Sequence, residues 1–415
     1  MTFADASTME PLAPHLTGDI QDKATDVIRG SAALSGSLSP RTLTSIVEMM
    51  RLTNSYYSNR IEGNNTHPIE IQKALWSLEN RKTDTNALRK QSAIHVRIQE
   101  EMQQHLAGKP AAYITSFEFL SWLHRAFYER LPDELCWVTN DDTGAKEKII
   151  PGEMRQRWVK VGLHIPPEAN HLNAFLKRFN EFYDLDKKHG INGLMLAGAA
   201  HHRLVWIHPF LDGNGRVARL FTDAYLVASG VKGYGLWNVS RGLARDVEQY
   251  RSLLAAADSP RLGDLDGRGN LSLKNLTHFS EYFLDVCIDQ ISFMAKSLSF
   301  ETLSDRINGY INLRAAGTLP ALTTDVDSKL KPESFLLLRD ALMRGEFPRG
   351  EAKRITGLAE RTARDVLGLL VKEGLLVSDT EKTPVRLGFP VGAAHYWFPD
   401  LFPELPKDAS WQPMP

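Results

Sequence analysis

The chain has 415 residues, enough for two or three domains with cores of their own. Its 49 Lys and Arg stand against 50 Asp and Glu, so no global field draws it to nucleic acid or an anionic membrane, and a charged partner must be met locally. The two cysteines, Cys136 and Cys287, are far apart and set among apolar residues, which predicts two buried thiols in a reducing cytoplasm and no disulfide. No basic flank followed by an apolar run opens the sequence, and no stretch of about 18 apolar residues occurs. The expectation is therefore a cytoplasmic protein with neither signal peptide nor membrane span.

After a Pro-containing start read as mobile, residues from about Ile20 to Leu106 have the pattern of several amphipathic helices, with Ile46, Met49, Met50 and Thr53 at helical spacing. The central part, from about Ala111 to Phe300, is again mostly helical. Within it Met154 to Ile165 alternates apolar and polar residues, with aromatic and β-branched content, and is predicted to form a short hairpin. Asp325 to Glu333 is polar and contains Pro332, a domain boundary. Beyond it Glu351 to Gly357 reads as a short helix and Ala359 to Glu373 as a longer one. Strands at Leu375 to Val377 and Val385 to Leu387 flank the turn-rich SDTEKTP. Helix, turn, helix and β-wing is winged-helix order. Arg361 and Arg364, early in the longer helix, are its candidate DNA contacts, with a protein-contact role as the alternative.

The chain is thus divided into an N-terminal helical region (1–110), a central core (111–305), a linker (306–332) and a C-terminal winged-helix-like domain (333–415). The fold class is mainly α with one small hairpin. The DLDGRGN stretch at Asp264 lacks the glutamate spacing of a calcium loop and reads as a polar turn.

The chemistry is concentrated between His208 and Arg219, HPFLDGNGRVAR. Pro209 and the two glycines suit a loop, while Val217, Leu220, Phe221, Ala224 and Tyr225 recur at helical spacing up to Gly230. A glycine-rich loop feeding a helix N-terminus leaves backbone N–H groups aimed outward with the positive end of the helix dipole behind them. Arg216 and Arg219 add two guanidinium forks one turn apart, suited to polyphosphate. Asp212 is a hard oxygen ligand for Mg²⁺ shared with phosphate oxygens. His208 can take a proton from an attacking hydroxyl near neutral pH. His201 and His202 suggest zinc only superficially: adjacent residues do not share a helix face and no HExxH spacing exists.

This string resembles the signature of the Fic family, HxFx[D/E]GNGRxxR, at every defined position. The resemblance extends over roughly Ile20 to Phe300. It implies a helical Fic core that transfers AMP from ATP to Ser, Thr or Tyr of a protein. By position, His208 is the general base and Asp212 the Mg²⁺ ligand. Gly213, Asn214 and Gly215 are the phosphate loop, Arg216 and Arg219 contact the β and γ phosphates, and Phe210 anchors the loop. The intact GNGR portion favours AMP transfer over the phosphorylation carried out by the related Doc kinases.

Upstream, SNRIEG at Ser58 to Gly63 resembles the family's inhibitory motif [S/T]xxxE[G/N], with Ser58, Glu62 and Gly63 at its fixed positions. Ser58 and Glu62 are i, i+4 on a helix, so both can reach one site. The resemblance implies that Glu62 pairs with Arg219 and denies ATP its γ-phosphate contact. The Met154 to Ile165 stretch resembles the family's flap, with Met154, Val159 and Val161 as candidate residues that align a target's backbone as an added strand. Candidate partners are ATP, a target protein that includes the chain itself, DNA through the C-terminal domain, and a second copy in a homodimer. No membrane partner is expected. A DNA-binding regulator with a nucleotide-sensing Fic scaffold is the alternative, and removal of AMP by the same site stays open.

Overall fold

The computed structural model describes residues 5–80, 82, 86–140, 143–323 and 329–402, and among them the chain is mainly α-helical. The N-terminal region consists of α1 (Gly18–Ser35), α2 (Pro40–Ile61), α3 (Pro68–Glu79) and α4 (Ala87–Leu106). Their starts are encoded locally. The side chains of Thr17, Ser39 and Asn86 accept from the N–H groups of Ile20, Thr42 and Arg89, and Pro40 and Pro68 sit where a missing N–H costs nothing. The second half of α2 is largely buried, its polar residues Asn54, Ser55, Ser58 and Asn59 included, because the helix runs between α4 and two later helices, Asn214–Ala228 and Val239–Arg245.

The core comprises α5 (Phe117–Tyr128), the strands β1 (Trp137–Thr139) and β2 (Lys146–Lys148), then α6 (Leu172–Tyr183), α7 (Asn192–Met195) and α8 (Ala197–Ile207). It continues with α9 (Asn214–Ala228), α10 (Val239–Arg245), α11 (Val247–Ala257) and α12 (Leu273–Ser297). Trp206, Phe119, Phe175, Phe179, Phe210 and Phe221 are sealed at its centre. Cys136 and Cys287 are buried and unpaired.

The start of the chain differs from the expectation of mobility. Arg203 is fully buried and donates from Nε and a terminal nitrogen to the Pro11 carbonyl (3.1 and 2.8 Å), and Tyr183 donates to the Leu12 carbonyl at 2.5 Å. Met9 is fully buried, so residues 9–12 are a piece of the core.

α13 (Phe300–Ala316) fills the first half of the stretch read as linker, capped by Ser299 and ended by Gly317 at φ 82°. Residues 324–328, where a boundary was expected, lie outside the described residues. The C-terminal elements are α14 (Ser334–Arg344), β3 (Glu346–Phe347), α15 (Ala352–Thr356), α16 (Glu360–Lys372), β4 (Leu376–Val377), β5 (Val385–Leu387) and α17 (Val391–Trp397). The sheet order is β3-β5-β4, all antiparallel. This module is fastened to α13 by Arg314 and Glu373, which are 1% and 0% exposed and joined by bonds of 2.5 and 2.7 Å. No described helix is long and apolar enough to cross a membrane.

Candidate active site

His208 ends α8 in the left-handed region (φ 51°, ψ 61°), and among the described residues only Asp400 shares a positive φ without being glycine. A β-substituted residue held there carries backbone strain, which functional loops commonly store. The surroundings fix it. Arg155 donates from Nε to the His208 carbonyl (2.8 Å) and from its backbone to the Pro209 carbonyl (3.0 Å), while its guanidinium also reaches the Pro167 carbonyl. Burial, and then the charge of Arg155, lower the His208 pKa to about 4, so the imidazole is neutral at pH 7 and able to accept a proton. Its Nδ1 is buried without a partner.

The loop is tied across its base by Asn214, which accepts from the Phe210 N–H (2.9 Å) and donates to the Phe210 carbonyl (2.8 Å). Its amide oxygen and nitrogen are both bonded to Phe210, so the side chain of Asn214 shapes the loop. Phe210 is sealed beneath, stacked on His124 with centroids 4.1 Å apart. Gly213 is the N-cap of α9 at φ 78°, and a Cβ there would lie 2.7 Å from the Tyr128 ring. With no side-chain cap, the first N–H groups of α9 are left for a ligand. Arg216 is buried over Phe127 and its Nε has no partner, a second unsatisfied donor at the same place.

Asp212 is half-exposed and accepts from the Tyr128 hydroxyl at 2.7 Å, with Arg216 3.5 Å away. Burial pushes its pKa up, but Arg216, Tyr128 and the Gly213 N–H outweigh it and hold the carboxyl below its ordinary value. Among the described residues no group of three His, Cys, Asp or Glu could cage a metal. A single ionised carboxylate beside a phosphate-sized nest of donors fits Mg²⁺, which takes few protein ligands and completes its shell with phosphate and water.

Ser58 and Glu62 arrive from α2. The helix ends at Ile61, so Glu62 is its C-cap, followed by Gly63 at φ 86°. Arg219 donates from Nε to Ser58 Oγ (2.9 Å) and from one terminal nitrogen to the Ser58 carbonyl (2.9 Å) and Glu62 Oε1 (2.6 Å). The carboxylate lies directly over the loop: a Cβ at Gly215 would collide with Glu62 Oε1. Burial raises the Glu62 pKa, yet Arg219 and then Arg216 prevail and keep it lowered. A carboxylate therefore occupies the space that the donors of the loop offer to an anion.

The stretch Met154 to Ile165 is not a regular ladder. It is irregular, with one bridge between Val161 and His164 closing a turn at Gly162 and Leu163, and the regular hairpin lies upstream as β1 and β2. Arg155 turns inward to hold the His208 loop, and Pro166 and Pro167 supply no N–H for further pairing, which accounts for the difference. Val159 is buried, Met154 partly so, and Trp158, Val161 and Leu163 face solvent. His201 and His202 are structural: His201 bonds Thr222 (2.7 Å) and Tyr250 (2.8 Å), and His202 bonds the Leu254 carbonyl (3.0 Å). Tyr128, His124, Arg155 and Arg251, which donates to the Ile61 carbonyl at 2.8 Å, belong to the site although their own sequence neighbourhoods give no sign of it.

Residues 113–226 match the model of the Fic/DOC family. Protein adenylyltransferase Fic of Drosophila mojavensis is 38% identical over 87 residues, 21% of this chain and 17% of that protein. Its counterpart in Drosophila grimshawi is 37% identical over 87 residues, 21% and 18% of the two chains. The chain thus spans less than a fifth of the length of these curated relatives. A crystal structure of a Fic family protein from Desulfovibrio desulfuricans G20 superposes with a TM-score of 0.51 at 17% identity, over 91% of this chain and 98% of that one, so the two have a fold in common.

Proposed function

We propose, from the premise that residues 113–226 of this chain are a Fic domain, that the protein transfers AMP from ATP to a Ser, Thr or Tyr hydroxyl of a protein, itself included, and that Glu62 restrains it. The observation that carries this reading is the convergence of a neutral His208, a pinned Asp212 and the uncapped start of α9 on one loop. His208 takes the proton of the incoming hydroxyl, the oxygen bonds to the α-phosphorus, and the bond to the β-phosphate breaks to release pyrophosphate. Gly213 and Gly215 let the polyphosphate approach the backbone, and Arg216 uses its spare Nε on it. Asp212 would hold Mg²⁺, which neutralises charge on the phosphate oxygens. With Glu62 on Arg219, the γ-phosphate has no fork to bind. The buried thiols suit a cytoplasmic setting.

The test is AMP incorporation from labelled ATP by Glu62→Gly, with His208→Ala in the same background. Labelling is expected from the first and a loss of about 10²- to 10⁴-fold in the second, with ATP affinity retained. Equal labelling by both would remove His208 from the chemistry.

A second activity is favoured by α16, where Arg361 and Arg364 are exposed on a helix that follows α15 in winged-helix order. DNA binding through these two is expected to weaken steeply with salt, and no gel shift by the full chain at low salt would leave a protein-contact role.

A further inference from the structure

The C-terminal module is seated along α2, the helix that delivers Ser58 and Glu62 to Arg219. At the start of α2, a Cβ at Gly345 would collide with the Oγ of the N-cap Ser39, and Arg41 Nε stands 3.4 Å from Glu346 Oε2. At the other end Tyr57, the neighbour of Ser58, donates its hydroxyl to the Leu401 carbonyl at 3.0 Å. Ser39 and Tyr57 are 18 residues apart, about 27 Å along a helix, so the module holds α2 at points several turns apart. Between them lies a cavity of about 360 Å³, with Ser45, Glu48, Met49 and Leu52 of α2 on one wall, and the Ser45 hydroxyl is unpaired. The interface is loosely filled in the middle and tight at its ends.

The tight end nearest the active site is built with care. Leu401 and Phe402 are 0% and 5% exposed. The turn before them places Asp400 at φ 68°, in the region that favours glycine, and Arg241 on α10 secures it by donating to the Asp400 carbonyl at 2.7 Å. Arg241 is itself fixed by Gln290 Oε1 (2.8 Å) and by the Phe293 ring 3.8 Å from its guanidinium carbon. A strained turn clamped by a buried arginine is more than the end of a small domain requires. It brings an apolar plug and a hydrogen-bond acceptor to the residue adjoining Ser58.

We propose that residues 391–402 are a latch on the last turn of α2 and part of the inhibitory device. While Leu401 is seated against Tyr57, that turn keeps Ser58 and Glu62 on Arg219; when the module shifts, the turn loses its anchor and frays, as helix ends do first, and Arg219 is released to phosphate. This rests on the reading of Glu62 as the restraint on AMP transfer. It adds that whatever engages the C-terminal module sets the activity of a site on the far side of α2.

The test uses the full chain. Tyr57→Phe and Leu401→Ala are made alone and together with Glu62→Gly, and AMP incorporation from labelled ATP is measured beside amide hydrogen exchange over residues 55–62. Tyr57→Phe is expected to raise labelling about twofold to tenfold, the range of one net hydrogen bond, and Leu401→Ala to raise it more. Both should speed exchange over 55–62, and neither should add to Glu62→Gly. Unchanged exchange with unchanged labelling overturns the latch, and so does an equal gain in the Glu62→Gly background, which would put the effect elsewhere. If Leu401→Ala does not fold, Tyr57→Phe, which loses a single oxygen, carries the test. If Glu62→Gly is itself inactive, the AMP-transfer reading fails, and the exchange data alone decide whether the latch exists.

Discussion

Arg314 meets Glu373 through two bonds of 2.5 and 2.7 Å with both side chains sealed, whereas Arg219 meets Glu62 through one bond of 2.6 Å with Glu62 34% exposed. A third pair, Arg216 and Asp212, is looser still, at 3.5 Å with Asp212 half-exposed. Exposure of the carboxylate rises along this series, and so does the scope for exchange. No anion can reach Arg314 without unfolding the module. Glu62 lies over an open loop, and a phosphate can succeed it on Arg219 without stranding a buried charge. On the function proposed, the same residue types make a rivet in one place and a removable stopper in the other, and accessibility decides which.

The largest effect should come from the rivet. Glu373→Ala leaves a guanidinium buried with no counter-charge and is expected to cost about 3–5 kcal/mol in denaturant unfolding, while Arg314→Met with Glu373→Leu recovers most of it. A single variant as stable as wild type would break the distinction between the two pairs.

Asp223 shows what befalls a carboxylate at the depth of Arg219 with no arginine fork upon it. It lies one turn further along α9, accepts from Asn54 at 2.8 Å and from Tyr234, and burial pushes its pKa up to about 6. The folded chain then keeps between about pH 4 and 6 a proton that the unfolded chain has lost. Stability from this group is therefore greatest at low pH and falls as pH rises through that window, by roughly 3 kcal/mol in all. Urea unfolding across pH 4 to 7 should diverge by about that amount between wild type and Asp223→Asn. Parallel curves would show that the site does not penalise charge at this depth.

For the stopper the sign is reversed from that of the rivet. Glu62→Gly is expected to change stability by less than about 1 kcal/mol and to raise AMP incorporation about tenfold to a hundredfold, the worth of one charge-assisted hydrogen bond regained by ATP. Arg219→Ala in that background should cancel the gain. Wild type and Glu62→Gly labelling alike, with equal ATP binding, would leave Ser58 to Gly63 as a helix end and nothing more.

How much of this was legible follows the distance over which each feature is written. The turn and helix start from His208 to Arg219 could be read because they are contiguous, and the proposed base and anion clamp lie in the same stretch, where the Asn214 amide is spent on Phe210. The pairing of Glu62 with Arg219 was reachable through the resemblance alone, since no local pattern joins α2 to α9. Tyr128, Arg155 and Arg251 act from other elements and have no local signature. β1 and β2 have no such signal, because Lys146, Glu147 and Lys148 offer no apolar alternation, while Met154 to Ile165 alternates and yet pairs only between Val161 and His164. α13 crosses the expected boundary at 305–306 into the stretch expected to be linker, and its signals lie only at its ends, the Ser299 cap and the Gly317 stop.

The smallest effect concerns the loosest pair and the tyrosine behind it. As the proposed Mg²⁺ ligand, Asp212 has to present an ionised carboxylate in a fixed direction, and Arg216 at 3.5 Å is too far to orient it alone. Tyr128 does so from beneath: its ring fills the space that a side chain at Gly213 would need, and its hydroxyl donates to Asp212 Oδ2 while standing 3.4 Å from Arg216. Its proton stays in place because burial, and then the charge of Asp212, raise the Tyr128 pKa well beyond the physiological range. Tyr128→Phe keeps the ring and removes only the donor, so the loop should retain its shape and the protein its stability. What is lost is one hydrogen bond to a half-exposed carboxylate, about 1 kcal/mol, or roughly fivefold. Because Asp212 is assigned to the Mg²⁺ of the nucleotide, that loss should appear as a rise in the Mg²⁺ concentration needed for half-maximal labelling by Glu62→Gly, with the rate at saturating Mg²⁺ nearly kept. A lowered saturating rate with an unmoved Mg²⁺ midpoint would mean that Tyr128 serves Arg216 and the phosphate, and that Asp212 is held by the loop alone.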